Sequence, residues 1–116
     1  ETDEVLVAPN NNIAIKNGVV MLSTTTIDNT DSPYNMLNNQ FRIDADTTSG
    51  NIQINLPSAP NLGQCHVIKD SAGTSTGFPI TIQGNGNTID GSTAFVIAQP
   101  YESFTFYYNG IEWKLS

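Results

Sequence analysis

His66 is the only histidine in this 116-residue chain and Cys65 is the only cysteine. Any Ser-His-Asp or Cys-His nucleophile would have to use them. Adjacent strand residues point to opposite faces, so Cys65 and His66 cannot form a dyad with each other. A packed or solvent-facing histidine is the expectation. Three copies of His66 on a threefold axis would make a metal site, but nothing in the sequence marks the residue as axial. Glycoside hydrolysis needs two acids facing across a cleft. Asp44, Asp46, Asp70, Asp90, Glu102 and Glu112 are the candidates, and no spacing pairs any two of them. Asp44 and Asp46 share a strand face with Arg42 and read as a solvated face. Asn85, Asn87 and Asp90 in GNGNTID loosely resemble an oxygen-ligand calcium loop, with the spacing of neither an EF-hand nor a nonapeptide repeat. A Gly/Asn turn with positive-φ positions is the simpler reading. No catalytic residue, metal or cofactor is therefore expected.

Binding chemistry is better supplied. Aromatic faces stack on sugar rings, and short amides and hydroxyls hydrogen-bond to sugar hydroxyls. Tyr34, Asn85, Asn87, Asp90, Tyr101 and Tyr107 are the candidate receptor-binding residues on these grounds, against the alternative of ordinary surface and core side chains.

Composition narrows the partners. The net charge is −7, yet only 13% of residues are charged, and Lys16, Arg42, Lys69 and Lys114 do not cluster. A phosphate backbone needs a basic stripe, so nucleic acid is not an expected partner. An anionic membrane surface would repel the chain, and no apolar run is long enough to cross a bilayer. The length suits one domain with a modest core. One cysteine allows no intrachain disulfide, and Cys65 sits in an apolar run as a small hydrophobe. The chain starts at Glu1, and a fragment or processed product of something longer is expected.

The elements that must position these side chains are short strands. Residues 102–116 predict a hairpin around Asn109-Gly110, since a type I′ turn takes positive φ at both central residues. A two-residue loop would set Tyr108 opposite Ile111, Phe106 opposite Trp113 and Phe104 opposite Leu115, all on one aromatic face. Thr105, Tyr107, Glu112 and Lys114 would lie on the other. Asn17-Gly18, between Ile13-Ile15 and Val19–Leu22, predicts a second, weaker hairpin. Val5-Leu6-Val7 reads as a weak strand or a linker. Alternation predicts strands over Phe41–Ala45 and Ile52–Leu56, and again over Phe78–Ile82. Gln64–Lys69 is a strand whose inward face stays open between Cys65/Val67 and His66/Ile68. Ala94–Ala98 is a further strand, and one helical turn is allowed at Asn35–Asn39. The total is about eight to ten strands with turn signals every 8–12 residues and no fixed-period repeat, as in an all-β, antiparallel β-sandwich or jelly-roll-like domain. Residues 1–35 would be N-terminal strands or a linker from a longer chain, and 36–116 the sandwich.

From about Met36 the signals run in the order FRIDADTTSG, NIQINLPSAPNLGQ, CHVIKDSAGT, FPITIQGNGNTIDG, AFVIAQ and SFTFYYNGIEWKLS. This order resembles the C-terminal β module of phage fibre and appendage proteins over roughly two thirds of the chain. Such proteins usually carry Asp-Gly at the final turn; Asn109-Gly110 has equivalent turn chemistry. The resemblance implies a homotrimeric fibre tip at the virion surface, joined to an N-terminal shaft. It would attach to a host cell-surface receptor, a glycan or a protein. It implies a binding module rather than an enzyme. Closing a ring of chains would also hide strand edges. Two alternatives stand beside it. One is a purely structural trimerisation or folding cap of a fibre. The other is a fragment of a polysaccharide-degrading enzyme, because ITIQGNGNTIDG also resembles coils of parallel β-helix lyases and hydrolases, although the chain lacks a coil period.

Overall fold

A computed structural model describes residues 18–116 together with two short strands before them, β1 (Val5–Val7) and β2 (Ile13–Ile15). The strands that follow are β3 (Thr24–Asp28), β4 (Tyr34–Asn35), β5 (Arg42–Asp46), β6 (Ile52–Asn55) and β7 (Cys65–Asp70). The last four are β8 (Ile80–Gln83), β9 (Ala94–Ile97), β10 (Ser103–Tyr108) and β11 (Trp113–Leu115). The only helical segment among the described residues is a 3-10 turn at Asn29–Asp31, closed by reciprocal bonds between Asp28 and Asp31. The helical turn expected at Asn35–Asn39 is absent, because Tyr34 and Asn35 pair with Ile54 and Asn55.

The chain is all-β, as expected, but its main body is not antiparallel. β3, β5 and β7 lie side by side and parallel in a five-stranded sheet ordered β11-β10-β7-β5-β3. β4, β6 and β8 do the same in a four-stranded sheet ordered β4-β6-β8-β9. Successive strands alternate between the sheets, so the chain winds in coils. Parallel neighbours need a crossover of a dozen or more residues, and here each crossover is a strand of the opposite sheet. The coils also lengthen. In the larger sheet Thr24 lies beside Arg42, and Arg42 beside Val67. In the smaller, Tyr34 lies beside Ile54, and Ile52 beside Ile80. A lengthening step leaves no fixed period. β9, β10 and β11 then close the C-terminal end with antiparallel pairings. Residues 24–35, on the N-terminal side of the expected boundary at 35/36, are continuous with both sheets through β3 and β4.

Alternation places the core as predicted. Ile43 and Ala45 of β5, Ile52 and Ile54 of β6, and Ile80 and Ile82 of β8 are buried between the sheets. The ladders align them in rows. One row runs Ile52, Ile80, Ile97 and another Tyr34, Ile54, Ile82, Phe95. Opposite them Ile43, Ile68 and Phe104 form a third. Phe95 meets Phe104 edge-on across the interior at 4.8 Å between ring centroids. In β7 both faces are covered: His66, Ile68 and Asp70 face the core, and Val67 on the other side is also buried.

Both hairpin expectations need correction. At the C-terminus Tyr108 pairs with Trp113 and Phe106 with Leu115, so the loop is four residues rather than two. Asn109 holds it: its side-chain Oδ1 accepts from the N–H groups of Ile111 and Glu112, both at 2.9 Å. Only Gly110 takes positive φ, at 96°, whereas a type I′ turn needs two such residues. The register moved by an even number of residues, so the aromatic face survived, while Ile111 left it and stands 82% exposed. At the N-terminus Ile13–Ile15 pairs antiparallel with Val5–Val7 and not with Val19–Leu22. Asn17 of the expected turn lies outside the described residues. Val19, Val20, Met21 and Leu22 are not in a strand, and all are exposed.

Candidate functional site

The outward face of the four-stranded sheet is lined with amides. β6 turns Ile52 and Ile54 inward, so Gln53 and Asn55 face out. β8 turns Ile80 and Ile82 inward, so Thr81 and Gln83 face out. Parallel pairing sets Asn35, Asn55 and Gln83 in one row and Gln53 and Thr81 in the next. Strand spacing puts neighbours in such a row about 4.8 Å apart. The Gln53 Nε2 donates to Asn55 Oδ1 at 3.0 Å, and Asn55 Nδ2 donates to Asn35 Oδ1 at 2.9 Å. The amides therefore brace one another in place.

The turn after β8 forms the wall. Asn85 and Gly86 both take positive φ, 56° and 96°. Gly84 is required here, because a Cβ would occupy the place of the Asn87 carbonyl. Asn85 Nδ2 donates to the Leu56 carbonyl at 3.0 Å and Asn87 Nδ2 to the Ser58 carbonyl at 3.3 Å. The two side chains thus pin the turn to the connection after β6. Gln53, Asn55, Gln83, Asn85, Gly86, Asn87, Thr88 and Thr93 enclose an open groove of about 430 Å³. That volume lies within the range of small-ligand sites. None of these eight residues carries an ionisable side chain.

Thr88 is fixed from behind by the C-terminal hairpin. Its hydroxyl donates to Glu112 Oε1 at 2.7 Å, and the same oxygen accepts from the Gly91 N–H at 2.8 Å. Lys114 Nζ stands 3.1 Å from Glu112 and 3.3 Å from Asp90. Hydrogen bonds from Thr88, then Gly91 and Lys114, hold the Glu112 carboxyl well down, at about 2. Glu112 and Asp90 raise the Lys114 ammonium in turn.

The six residues expected to bind do not share one surface. Asn85 and Asn87 line the groove. Asp90 turns to Lys114 instead, and its backbone takes positive φ, so the turn reading of GNGNTID matches this backbone. Tyr34 is half-buried against the core, its hydroxyl accepting from Gln40 Nε2 at 2.6 Å. Tyr107 is exposed on the outer face of the other sheet. Tyr101 is exposed with φ 63°, an uncommon conformation for an aromatic residue. Its N–H donates to Asp70 Oδ2 at 3.2 Å, its carbonyl accepts from Lys69 Nζ at 2.7 Å, and its ring covers Gly73.

Several of the residues weighed for catalysis are tied up in packing and hydrogen bonds. His66 is 1% exposed, packed at 5.6 Å against Trp113, with its Nδ1 on the Gln40 carbonyl and its Nε2 on Gln64. Burial lowers its pKa, partly opposed by that carbonyl. Both nitrogens are engaged and neither faces solvent, unlike an axial metal ligand. Cys65 points the other way, and burial pushes its thiol up. Asp70 is fully buried and accepts from the N–H groups of Gly73, Ser75 and Tyr101. Asp46 accepts from Thr48, whose bonds lower its pKa. Among the described residues no cluster of His, Cys, Asp and Glu has metal-site geometry.

Gln53, Asn55, Gln83, Thr88 and Thr93 were not expected at a site. For Gln53, Asn55 and Gln83 the signal was present as uncharged polar alternates in NIQIN and ITIQ; Thr88 and Thr93 lie outside those segments and carried none. Only parallel pairing of those two segments makes them neighbours. No protein-family model matches this chain, and no curated protein matches it.

Proposed function

We propose that this chain is a non-enzymatic attachment module at the tip of a virion fibre, acting as a homotrimer that holds a host cell-surface glycan. The observation that carries this reading is the uncharged, amide-lined groove on the four-stranded sheet. Amides and hydroxyls held by rigid strands match the mixed donor and acceptor character of sugar hydroxyls. Among the described residues no carboxylate or imidazole lines the groove, so it lacks the facing acid pair of glycoside hydrolysis, which favours binding over cleavage. The ordered resemblance to fibre modules supplies the virion context and the shaft. Open strand edges at β3 and β4 and the exposed run Val19–Leu22 favour self-association. Three weak sites on one particle would gain avidity through effective concentration.

The winding of β3 to β8 favours one second reading, a fragment of a β-helix polysaccharide-processing protein. Its stacked coils are the specific observation. Product release from polysaccharide would select it. The main reading is tested by light scattering and by retention on immobilised oligosaccharides. A mass of three times 12.5 kDa with retention supports it. A trimer that retains no sugar points to a structural fibre cap, and a monomer that retains none overturns the proposal.

A further inference from the structure

We infer that the groove takes a neutral oligosaccharide, gripped at a pair of adjacent hydroxyls by the Gln83 amide, and rejects acidic sugars. This rests on the glycan-attachment reading above. Gln83 differs from its neighbours in the ladder. Asn55 is engaged at both its oxygen and its nitrogen, and Gln53, Asn85 and Asn87 each spend a nitrogen on the protein. Gln83 is half-buried between Asn55 and the turn, and its amide has no hydrogen-bond partner among the described residues. It therefore presents a carbonyl acceptor and an NH₂ donor side by side. A hydroxyl both donates and accepts, so two neighbouring hydroxyls satisfy both halves at once. The rest of the groove continues that pattern. Asn85 and Asn87 keep free carbonyl oxygens, and Thr93 is exposed at the rim.

An anionic sugar would find the opposite of what it needs. A carboxylate, sulfate or phosphate only accepts, and it is held best by Arg or Lys. Among the described residues no cation lines the groove. Lys114, behind the turn, is shared between Asp90 and Glu112. Arg42 and Lys69 lie on strands of the other sheet, β5 and β7. The free carbonyl oxygens in the groove would face an anion directly, and the net charge of −7 repels it at longer range.

The test is an array of neutral gluco-, galacto- and manno-oligosaccharides beside matched uronic-acid and sialylated ones, probed with the whole chain at neutral pH. Wild type, Gln83→Ala and Gln83→Glu are compared, with urea denaturation to show that all three fold alike. Neutral sugars bind and acidic ones do not; Gln83→Ala weakens binding by about tenfold, the loss of two neutral hydrogen bonds. Gln83→Glu keeps two acceptors and loses the donor, so a hydroxyl that accepted from the amide must turn to donate, and acidic sugars stay excluded. Acidic sugars bound as well as neutral ones overturn the inference and leave the attachment reading standing. Neutral sugars bound equally by all three proteins remove this groove as the site. Binding of neither class overturns the glycan reading together with the inference.

Discussion

Asp70 gives the sharpest test of how this fold is held. Its carboxylate is fully buried and accepts three backbone N–H groups: Gly73 at 3.0 Å, Ser75 at 3.1 Å and Tyr101 at 3.2 Å. Those bonds close the loop after β7 and hold Tyr101 in its positive-φ conformation. Replacing the side chain with Ala orphans all three donors. Ser75 is buried, and an unsatisfied buried N–H costs about 1–3 kcal/mol. The Gly73 and Tyr101 groups are less enclosed and reach water, for about 0.5–1.5 kcal/mol each. Asp70→Ala should therefore lose about 4 kcal/mol. Asp70→Asn can set its oxygen at the Oδ2 position, keeping Ser75 and Tyr101 but facing Gly73 N–H with an NH₂ group, for about 1–2 kcal/mol. In a chain of this size each kcal/mol moves Tm by about 4 °C. Urea and thermal denaturation at fixed protein concentration measure both. Asp46→Ala is the control, since the same kind of carboxylate bonds close an exposed turn there; it should cost under about 1 kcal/mol. Acid supplies a second readout. Burial works to raise the Asp70 pKa, but the bonds from Ser75, Tyr101 and Gly73 outweigh it and the net shift is downward. The stabilisation is then full above the ordinary aspartate value of 3.8 and fades as pH falls through the lower folded value. Losses under about 1 kcal/mol in both Asp70 variants would refute the reasoning.

Ile111→Ser should change stability by no more than about 0.5 kcal/mol, while Phe106→Ala, its side chain fully buried, costs about 3–5 kcal/mol in the same urea titration. Burial lowers the His66 pKa, so the unfolded chain takes up that proton first. The His66 contribution to stability therefore falls as pH drops below about 6.5, by at most about 1.4 kcal/mol per pH unit. A His66→Gln variant should show a flatter urea midpoint between pH 7.5 and 5. Glu112→Gln should lower the urea midpoint at pH 7, because Thr88, Gly91 and Lys114 lose a charged partner. The folded carboxyl sits at about 2, so the wild-type advantage is present above the ordinary carboxylate range. It disappears as the pH falls towards that value; an advantage that persists into stronger acid would contradict the assignment.

Local chemistry was legible in the sequence wherever an interaction spans a few residues. Alternation in FRIDA, NIQIN and FPITI set Ile43, Ile52, Ile54, Ile80 and Ile82 inward, since a strand has only two faces and the apolar one must leave water. Gly110 falls at a positive-φ turn position for the same local reason, and the aromatic face of β10 and β11 survived a register change because the change was even. The loop length itself was decided by the Asn109 side chain, whose bonds to Ile111 and Glu112 compete with a tight two-residue turn. Strand direction was not legible. Nothing within NIQIN or ITIQ distinguishes a parallel partner from an antiparallel one, and coils that lengthen from one turn to the next leave no period to detect.

The groove depends on that choice. Asn85 and Asn87 were visible as turn residues, but Gln53, Asn55 and Gln83 looked like solvated alternates on separate strands. They become one amide-lined face only when β6 and β8 lie parallel and in register, with Gln53 beside Thr81 and Asn55 beside Gln83. Composition and alternation by themselves determined an all-β chain with an Ile-rich interior and few cations. Tertiary structure decided the winding, the burial of His66 and Asp70, and which uncharged side chains meet, because those outcomes depend on pairings between residues far apart in the chain.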